Sequence, residues 1–255
     1  MKNVYKKVKK TYDLGNRLLN DSYHIEGDEK SVLEIKKTPL RSEVINYVLK
    51  YLNKETKYLE IGVRYPEENF DKIISKNKYS VDPGTENFKN PVDFKITSDE
   101  FFNQLRSGKI LTREIKFDVI FIDGLHFAEQ VERDIYNSLE FLNEDGFIVL
   151  HDCNPPTAFH ASEEYLYRLS PSGGYWNGTT WKAFYKFRQK SSFFSCCIDS
   201  DWGIGIVSKK LNLGNPTKII NPYFEFNILD QNRRESLNLV SFDEFKVKLS
   251  ILKKF

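Results

Sequence analysis

Two stretches constrain the fold more than any others in this 255-residue chain: Phe117–Asp123 (FDVIFID) and Gly146–Asp152 (GFIVLHD). Each holds an unbroken apolar run, VIFI or FIVL, and each ends in an aspartate. A strand with one solvated face alternates apolar and polar residues. An unbroken run of this length reads instead as a strand buried on both faces, as in a parallel sheet covered by helices. Three further strand-length segments precede them: Tyr58–Val63 (YLEIGV), Lys78–Asp82 (KYSVD) and the weaker Asp93–Thr97 (DFKIT). Helical spacing falls between and before them. Val44, Ile45, Val48, Leu49 and Leu52 follow a helix start at Thr38-Pro39, and Asn69–Ser75, Asp99–Leu105 and His126–Leu142 read as helices. Alternating strand and helix gives an α/β fold with helices on both faces of the sheet. Phe193–Asp199 and Gly203–Ser208, flanking Ser200-Asp201-Trp202, read as an antiparallel hairpin.

The flanks are less regular. Residues 1–37 are polar and Lys-rich with a weak helical period, and are expected to form an N-terminal helical extension to a domain spanning 38–214. Residues 215–255 are expected to be a C-terminal extension packing on that domain. They contain a helical run, Phe242–Leu252, followed by Lys253-Lys254, which suits an extra helix or a contact in a homo-oligomer. With 38 Lys+Arg against 36 Asp+Glu, the chain lacks the basic excess of a general nucleic-acid binder, so no nucleic-acid partner is expected. Cys153, Cys196 and Cys197 form no disulfide framework and no zinc motif. The basic N-terminus lacks the apolar core of a signal peptide, and no run approaches the roughly 18 apolar residues of a membrane span. The expectation is a cytoplasmic protein with no membrane span.

In an open α/β sheet, ligands bind beyond the carboxyl ends of the strands. The first strand carries Glu60 and Gly62 there. The second ends in Asp82-Pro83-Gly84, the third is followed by Ser98-Asp99, the fourth by Asp123-Gly124-Leu125-His126, and the fifth by His151-Asp152-Cys153-Asn154. One such aspartate is usually a helix cap or turn residue. Acidic or histidine groups at five successive strands point to a site. Glu60 lies inside an apolar strand, where an unpaired carboxylate is costly, so it is expected to fix the loop around a cofactor or to touch it. Gly62 permits close approach of a ligand to the backbone. Asp82, about 20 residues later, is placed to accept hydrogen bonds from the ribose hydroxyls of an adenosine cofactor, with a plain Asp-Pro-Gly turn as the alternative. Asp99 could reach an adenine amino group or cap the following helix. Neither GxGxxG nor GxxxxGK[ST] is present, which disfavours nicotinamide, flavin and P-loop sites. Asp123, His126 and Asp152 supply oxygen and imidazole groups suited to a divalent cation, or a histidine base. His151 and Asp152 are adjacent, so continued strand geometry would send them to opposite faces, with only one facing the cleft. His24 and His160 have no supporting context and are expected at the surface.

The segments YLEIGVRYPEENF, YSVDP, FDVIFIDGLHFAEQVERDI and EDGFIVLHDCNPPT resemble the class I S-adenosylmethionine-dependent methyltransferases. More closely they resemble the bacterial O-methyltransferase-like group associated with sugar and polysaccharide genes, as do WNGTTWKAFYKFR and DSDWGIGIV; the similarity covers roughly residues 38–210. The resemblance implies a Rossmann-like, mostly parallel seven-stranded sheet whose last two strands form the reversed hairpin. It implies S-adenosylmethionine at Glu60, Gly62, Asp82 and the Ser98-Asp99 loop, with Asp123 bordering it. It implies an acceptor site near Asp123, His126, Asp152 and the aromatic insert 175–185, with His151 a further candidate base beside them. Some relatives bind magnesium through carboxylates placed like Asp123 and Asp152. Cys153 stands where metal-dependent relatives carry Asn, and Asn154 comes one position late. Arg64-Tyr65-Pro66-Glu67-Glu68 replaces further glycines of the cofactor loop.

Aromatic residues make up 15% of the chain, and one cluster follows the Gly-rich segment Ser170–Gly174. Tyr175 and Trp176 read as a lid over an acceptor, since aromatic faces pack well on sugar rings. Trp181 joins them as a candidate acceptor contact with Asn154, although Trp181 onward reads better as a helix packed on the sheet. The expected function is methyl transfer from S-adenosylmethionine to a hydroxyl of a sugar or glycosylated small molecule. The sequence leaves two other classes open: a non-catalytic binding protein on the same scaffold, and a metal-dependent hydrolase using Asp123, His126 and Asp152.

Overall fold

The computed structural model describes residues 2–165 and 169–252; Lys253-Lys254 lie outside them. One seven-stranded sheet organises the chain. Its strands are β1 (Lys57–Ile61), β2 (Asn77–Val81), β3 (Phe117–Ile122), β4 (Leu142–Leu150), β5 (Phe194–Ile198), β6 (Ile204–Ser208) and β7 (Leu239–Val240), in the order β2-β1-β3-β4-β6-β5-β7. β1 pairs in parallel with β2 and β3, and β3 with β4. β6 runs antiparallel to both β4 and β5, while β7 is parallel to β5, so β6 is the reversed strand of an otherwise parallel sheet. All six residues of β3 are buried, as its non-alternating run requires.

Helices cover both faces. Val44, Ile45, Val48 and Leu49 of α3 (Arg41–Leu52) pack with Phe245 and Leu249 of α9 (Phe242–Leu252) in the core on one face. On the other, Phe101, Phe102 and Leu105 of α4 (Ser98–Arg106) join Val131 and Ile135 of α5 (Ala128–Phe141) and Trp181, Phe184 and Phe187 of α6 (Thr180–Arg188). Burying each such side chain contributes roughly 1.5–3 kcal/mol. Two N-terminal helices, α1 (Lys2–Leu19) and α2 (Ser22–Ile35), precede the sheet, and short helices α7 (Phe226–Gln231) and α8 (Arg233–Leu237) lead to β7. The three cysteines are free and buried.

Three expectations are corrected. Asp93–Thr97 is not a strand: it contributes one bridge, Phe94 to Val81. The Asp93 carboxylate accepts from the Ser80 N–H at 2.9 Å and the Ser80 hydroxyl at 2.8 Å, a side chain standing where a strand's backbone would pair. The seventh strand is β7, from the C-terminal stretch, at the opposite edge. Asn69–Ser75 forms no α-helix, and residues 66–72 make two short 3-10 turns. Asn69 turns inward there, its amide donating to Glu60 at 2.9 Å. His160 is buried, not at the surface, and bridges α2 to the later loop through Ser31 (2.9 Å) and Thr157 (2.8 Å).

Candidate active site

The carboxyl ends of β1, β3 and β4 meet the β5–β6 turn. Gly62 follows β1 with φ +88°, and a Cβ there would overlap the Asp123 carbonyl and Gly124 Cα. Its lack of a side chain thus serves the contact between the ends of β1 and β3, where the sequence suggested room for a ligand. Asp123 leaves β3 directly. His126, three residues on, is held by the segment 176–179. The Thr179 N–H donates to the His126 carbonyl at 2.7 Å, and the Thr179 hydroxyl accepts from the Ala128 N–H at 2.7 Å. The Trp176 ring stacks on the His126 imidazole, with centroids 5.3 Å apart and planes at 21°.

His151 and Asp152 both face this cluster, which corrects the opposite-face expectation. β4 ends at Leu150, and Asp152 adopts φ +60°, so strand alternation no longer applies. His151 Nδ1 lies 3.2 Å from Asp123 and 3.1 Å from Asp152. His126 places Nε2 3.3 Å from Asp123 and Nδ1 3.3 Å from Asp152. Each imidazole therefore bridges the same two carboxylates. Asn177 donates to the other Asp152 oxygen at 2.7 Å.

Two further members carried no sequence signal as site residues. Asp201, in the β5–β6 turn, lies 3.3 Å from His151 Nε2. Arg41, at the start of α3, donates its backbone N–H to Asp201 at 2.7 Å, and its guanidinium lies 3.2 Å from Asp201 and 3.7 Å from Asp123. Asp201 was legible as a turn residue only. Arg41 sits at the start of an amphipathic helix, where an arginine is unremarkable.

The cluster is strongly coupled electrostatically. Burial opposes ionisation of Asp123, but His151, hydrogen bonds from both histidines and the Arg41 charge outweigh it and hold the carboxyl well below its usual range. Asp201 falls to about 2: burial opposes this, and His151 and Arg41 overcome it. Burial alone would lower both histidines. Asp152 and Asp123 instead raise His151 well above its ordinary value and also raise His126. A protonated His151 has no lone pair on Nε2, so the 3.1 Å approach of Arg41 Nη1 to that nitrogen is not a hydrogen bond. Two cations there share Asp201.

The predicted cofactor residues are more dispersed. Glu60 is buried and accepts from Tyr58 at 2.5 Å and Asn69 at 2.9 Å. Burial pushes its carboxyl up to about 8 against those hydrogen bonds. Asp82 closes a turn, accepting from the Gly84 N–H at 2.6 Å, and is raised by burial. Ser98 and Asp99 open α4, but Thr97 is its cap. Ser98 accepts from Gln130 at 3.1 Å and Asp99 pairs with Arg133 at 3.5 Å, tying both to α5.

Of the acceptor candidates, Trp176 covers the cluster, and Tyr175 stacks on Trp202 with centroids 5.1 Å apart. Trp181 is corrected: at 1% exposure within the core it offers no face to a ligand. Asn154 is corrected as well. It is buried, its amide donating to Asp199 at 3.2 Å and its carbonyl accepting from Arg233 at 2.7 Å. A cleft of about 520 Å3, lined by residues including Lys57, Lys116 and Asn143, opens at the amino ends of the strands, away from these groups.

The donor set fits a divalent cation. Asp123, His126 and Asp152 each present a ligand atom, all within 4.8 Å of one another. The Asn177 Oδ1, on the amide bonded to Asp152, is buried without a hydrogen-bond partner.

Residues 44–153 match a family model described as a methyltransferase domain. No curated protein matches the chain significantly. Among solved structures, an SAH complex of an O-methyltransferase from Bacillus cereus aligns at 13% identity over 74% of this chain and 92% of its own, with TM-score 0.44. An SAH-bound methyltransferase from Podospora anserina aligns at 12% identity over 79% and 96%, with TM-score 0.45. A mycinamycin-pathway methyltransferase in complex with Mg, SAH and mycinamycin VI aligns at 16% identity over 81% of this chain and 58% of its own, with TM-score 0.43. At these identities and scores the likenesses carry no weight here, and the fold rests on the sheet order above.

Proposed function

We propose, from the methyltransferase domain matched across residues 44–153, that the chain is an S-adenosylmethionine-dependent O-methyltransferase acting on a hydroxyl of a sugar or glycosylated small molecule. One observation carries the site: Asp123, His126, His151 and Asp152 converge at the carboxyl edge of a mostly parallel sheet, beneath the Trp176 ring. Ligands of such sheets bind at that edge. In the reaction, an acceptor oxygen forms a bond to the methyl carbon as the carbon–sulfur bond breaks in line, leaving S-adenosylhomocysteine. Holding the two reactants in line can supply several kcal/mol of the rate enhancement.

A neutral sugar hydroxyl is a weak nucleophile. Its proton must leave to a base, or a cation must stabilise the developing alkoxide. His126 and His151 are the proton acceptors within reach. Asp123, Asp152 and His126 would hold a magnesium ion, which would supply Lewis-acid stabilisation of the acceptor oxygen. Asp152 and Asp123 raise both imidazoles, so base and cation belong to one reading: with Asp123, Asp152 and His126 holding a cation, the carboxylate charge that favours the His151 proton would be taken up, and His151, which is outside that ligand set, would accept the proton of the hydroxyl. On the donor side, Glu60, Gly62 and Asp82 border the end of β1 and β2, with the Ser98-Asp99 start of α4 beyond. Trp176 and Tyr175 provide the aromatic wall for an acceptor ring.

Incubation with methyl-labelled S-adenosylmethionine and a panel of sugar and glycosylated acceptors tests this. Label transferred to an acceptor hydroxyl supports the reading. Cofactor binding without transfer to any carbohydrate would overturn the acceptor class. Absence of cofactor binding would return the chain to a binding or hydrolase role.

A further inference from the structure

The N-terminal helix is the least explained element. α2 is anchored, through Ser31 to His160 and through Lys37, just beyond its end, to Asp199 at 2.6 Å. α1 projects from it with its apolar side uncovered. Val4 (67%), Tyr5 (71%), Val8 (61%), Tyr12 (72%) and Leu19 (78%) are largely exposed. At helical spacing these five fall on one side, while Lys6, Lys9, Lys10 and Arg17 fall on the other. Residues 3–19 carry five cations against Asp13 alone, a net of +4, in a chain whose total is +2. The remainder of the molecule therefore sums to −2, and the positive charge is gathered on this helix.

From this we infer that α1 docks on an anionic lipid surface, lying in the plane of the interface. Its physical type is that of an interfacial helix: strong amphipathy, low overall hydropathy, lysines on the polar face and an apolar side of modest depth. No described helix is long and apolar enough to cross a membrane, so the attachment is peripheral. The 18-residue helix is roughly 27 Å long, enough to lay several turns on a bilayer. Tyr5 and Tyr12 lie along one border of the apolar side, where an amphipathic ring sits at headgroup level. The lysine stems can extend along the apolar surface while their ammonium groups reach lipid phosphates. A second copy of α1 is a poorer occupant, because face-to-face packing would cover the apolar side but leave the cations of both helices on the outer side without an anionic partner.

Vesicle flotation of the full chain tests the inference, using phosphatidylcholine vesicles with one quarter phosphatidylglycerol beside pure phosphatidylcholine. Binding to the anionic vesicles should exceed binding to neutral ones by at least about tenfold and weaken with salt. The double variant Val8→Glu/Tyr12→Glu and the triple variant Lys6→Gln/Lys9→Gln/Lys10→Gln should each reduce the bound fraction by about tenfold. Circular dichroism and thermal midpoint should stay unchanged, since these side chains are exposed. Equal binding to both vesicle types, or no binding, overturns the inference. So does light scattering that shows self-association abolished by Val8→Glu/Tyr12→Glu, which would assign the face to a second copy.

Discussion

Glu60→Gln tests the electrostatics of the strand ends most cleanly. The Glu60 carboxyl sits inside β1, and burial raises it from an ordinary 4.5 to about 8. Between those values the unfolded chain carries the charge and the folded chain holds the proton. The folded state then binds more protons, so stability falls as pH rises through this interval. At about 1.4 kcal/mol per pH unit, the loss reaches about 5 kcal/mol once pH exceeds both values. Below 4.5 both states are protonated and the penalty is absent. Glutamine is neutral at every pH, and its carbonyl can still accept from Tyr58 and Asn69. Burying an amide NH2 in place of the second carboxyl oxygen should cost a pH-independent amount of about 1 kcal/mol. Urea unfolding of both proteins across this interval should therefore give curves that cross: wild type more stable in acid, the variant more stable above about 8 by several kcal/mol. Parallel curves, with a constant difference and unchanged m-values, would refute the burial of an uncompensated carboxyl at this position.

Asp201→Asn should do the reverse. Its carboxyl is depressed from 3.8 to about 2, so it contributes about 2 kcal/mol above pH 3.8 that is lost as pH falls towards 2; acid titration of wild type and variant should converge there. Asp123→Asn and Asp152→Asn should each lower methyl-transfer turnover by about a hundredfold or more, read by label transfer, with near-normal rates contradicting their assignment. Chelation should abolish turnover and added magnesium restore it; chelator-insensitive rates would remove the cation from the site. Trp181→Ala should destabilise by about 3–5 kcal/mol, read by denaturant melting, whereas Trp176→Ala should chiefly raise the acceptor KM.

The α/β class was legible because β3 and β4 are strands whose burial is written as unbroken apolar runs. The hairpin and α9 were legible for the same kind of reason, a short period bounded by turn residues. Asp93–Thr97 misled because its backbone pairs with β2 only around Phe94, while beside that bridge the Asp93 carboxylate takes the Ser80 N–H that a longer strand's backbone would pair, and an apolar-polar alternation does not distinguish the two. At the site, Asp123, His126 and Asp152 were legible as strand-end residues. The joint orientation of His151 and Asp152 was not, because it depends on a positive φ at Asp152 that no sequence period encodes. Arg41 and Asp201 were invisible as site members, since each reaches the cluster by tertiary packing from a segment distant in sequence. Trp181 and Asn154 show the converse: residue types suited to ligands, consumed by the core and by Asp199 and Arg233.

A crystal structure of the full chain grown with S-adenosylhomocysteine tests the central claim most directly. Density should place the ribose near Asp82 and the sulfur towards Asp123 and Asp152, with Trp176 bordering the space beyond it. Cofactor density elsewhere on the molecule, or none at saturating concentration, would contradict the assignment of this edge as a methyl-transfer site.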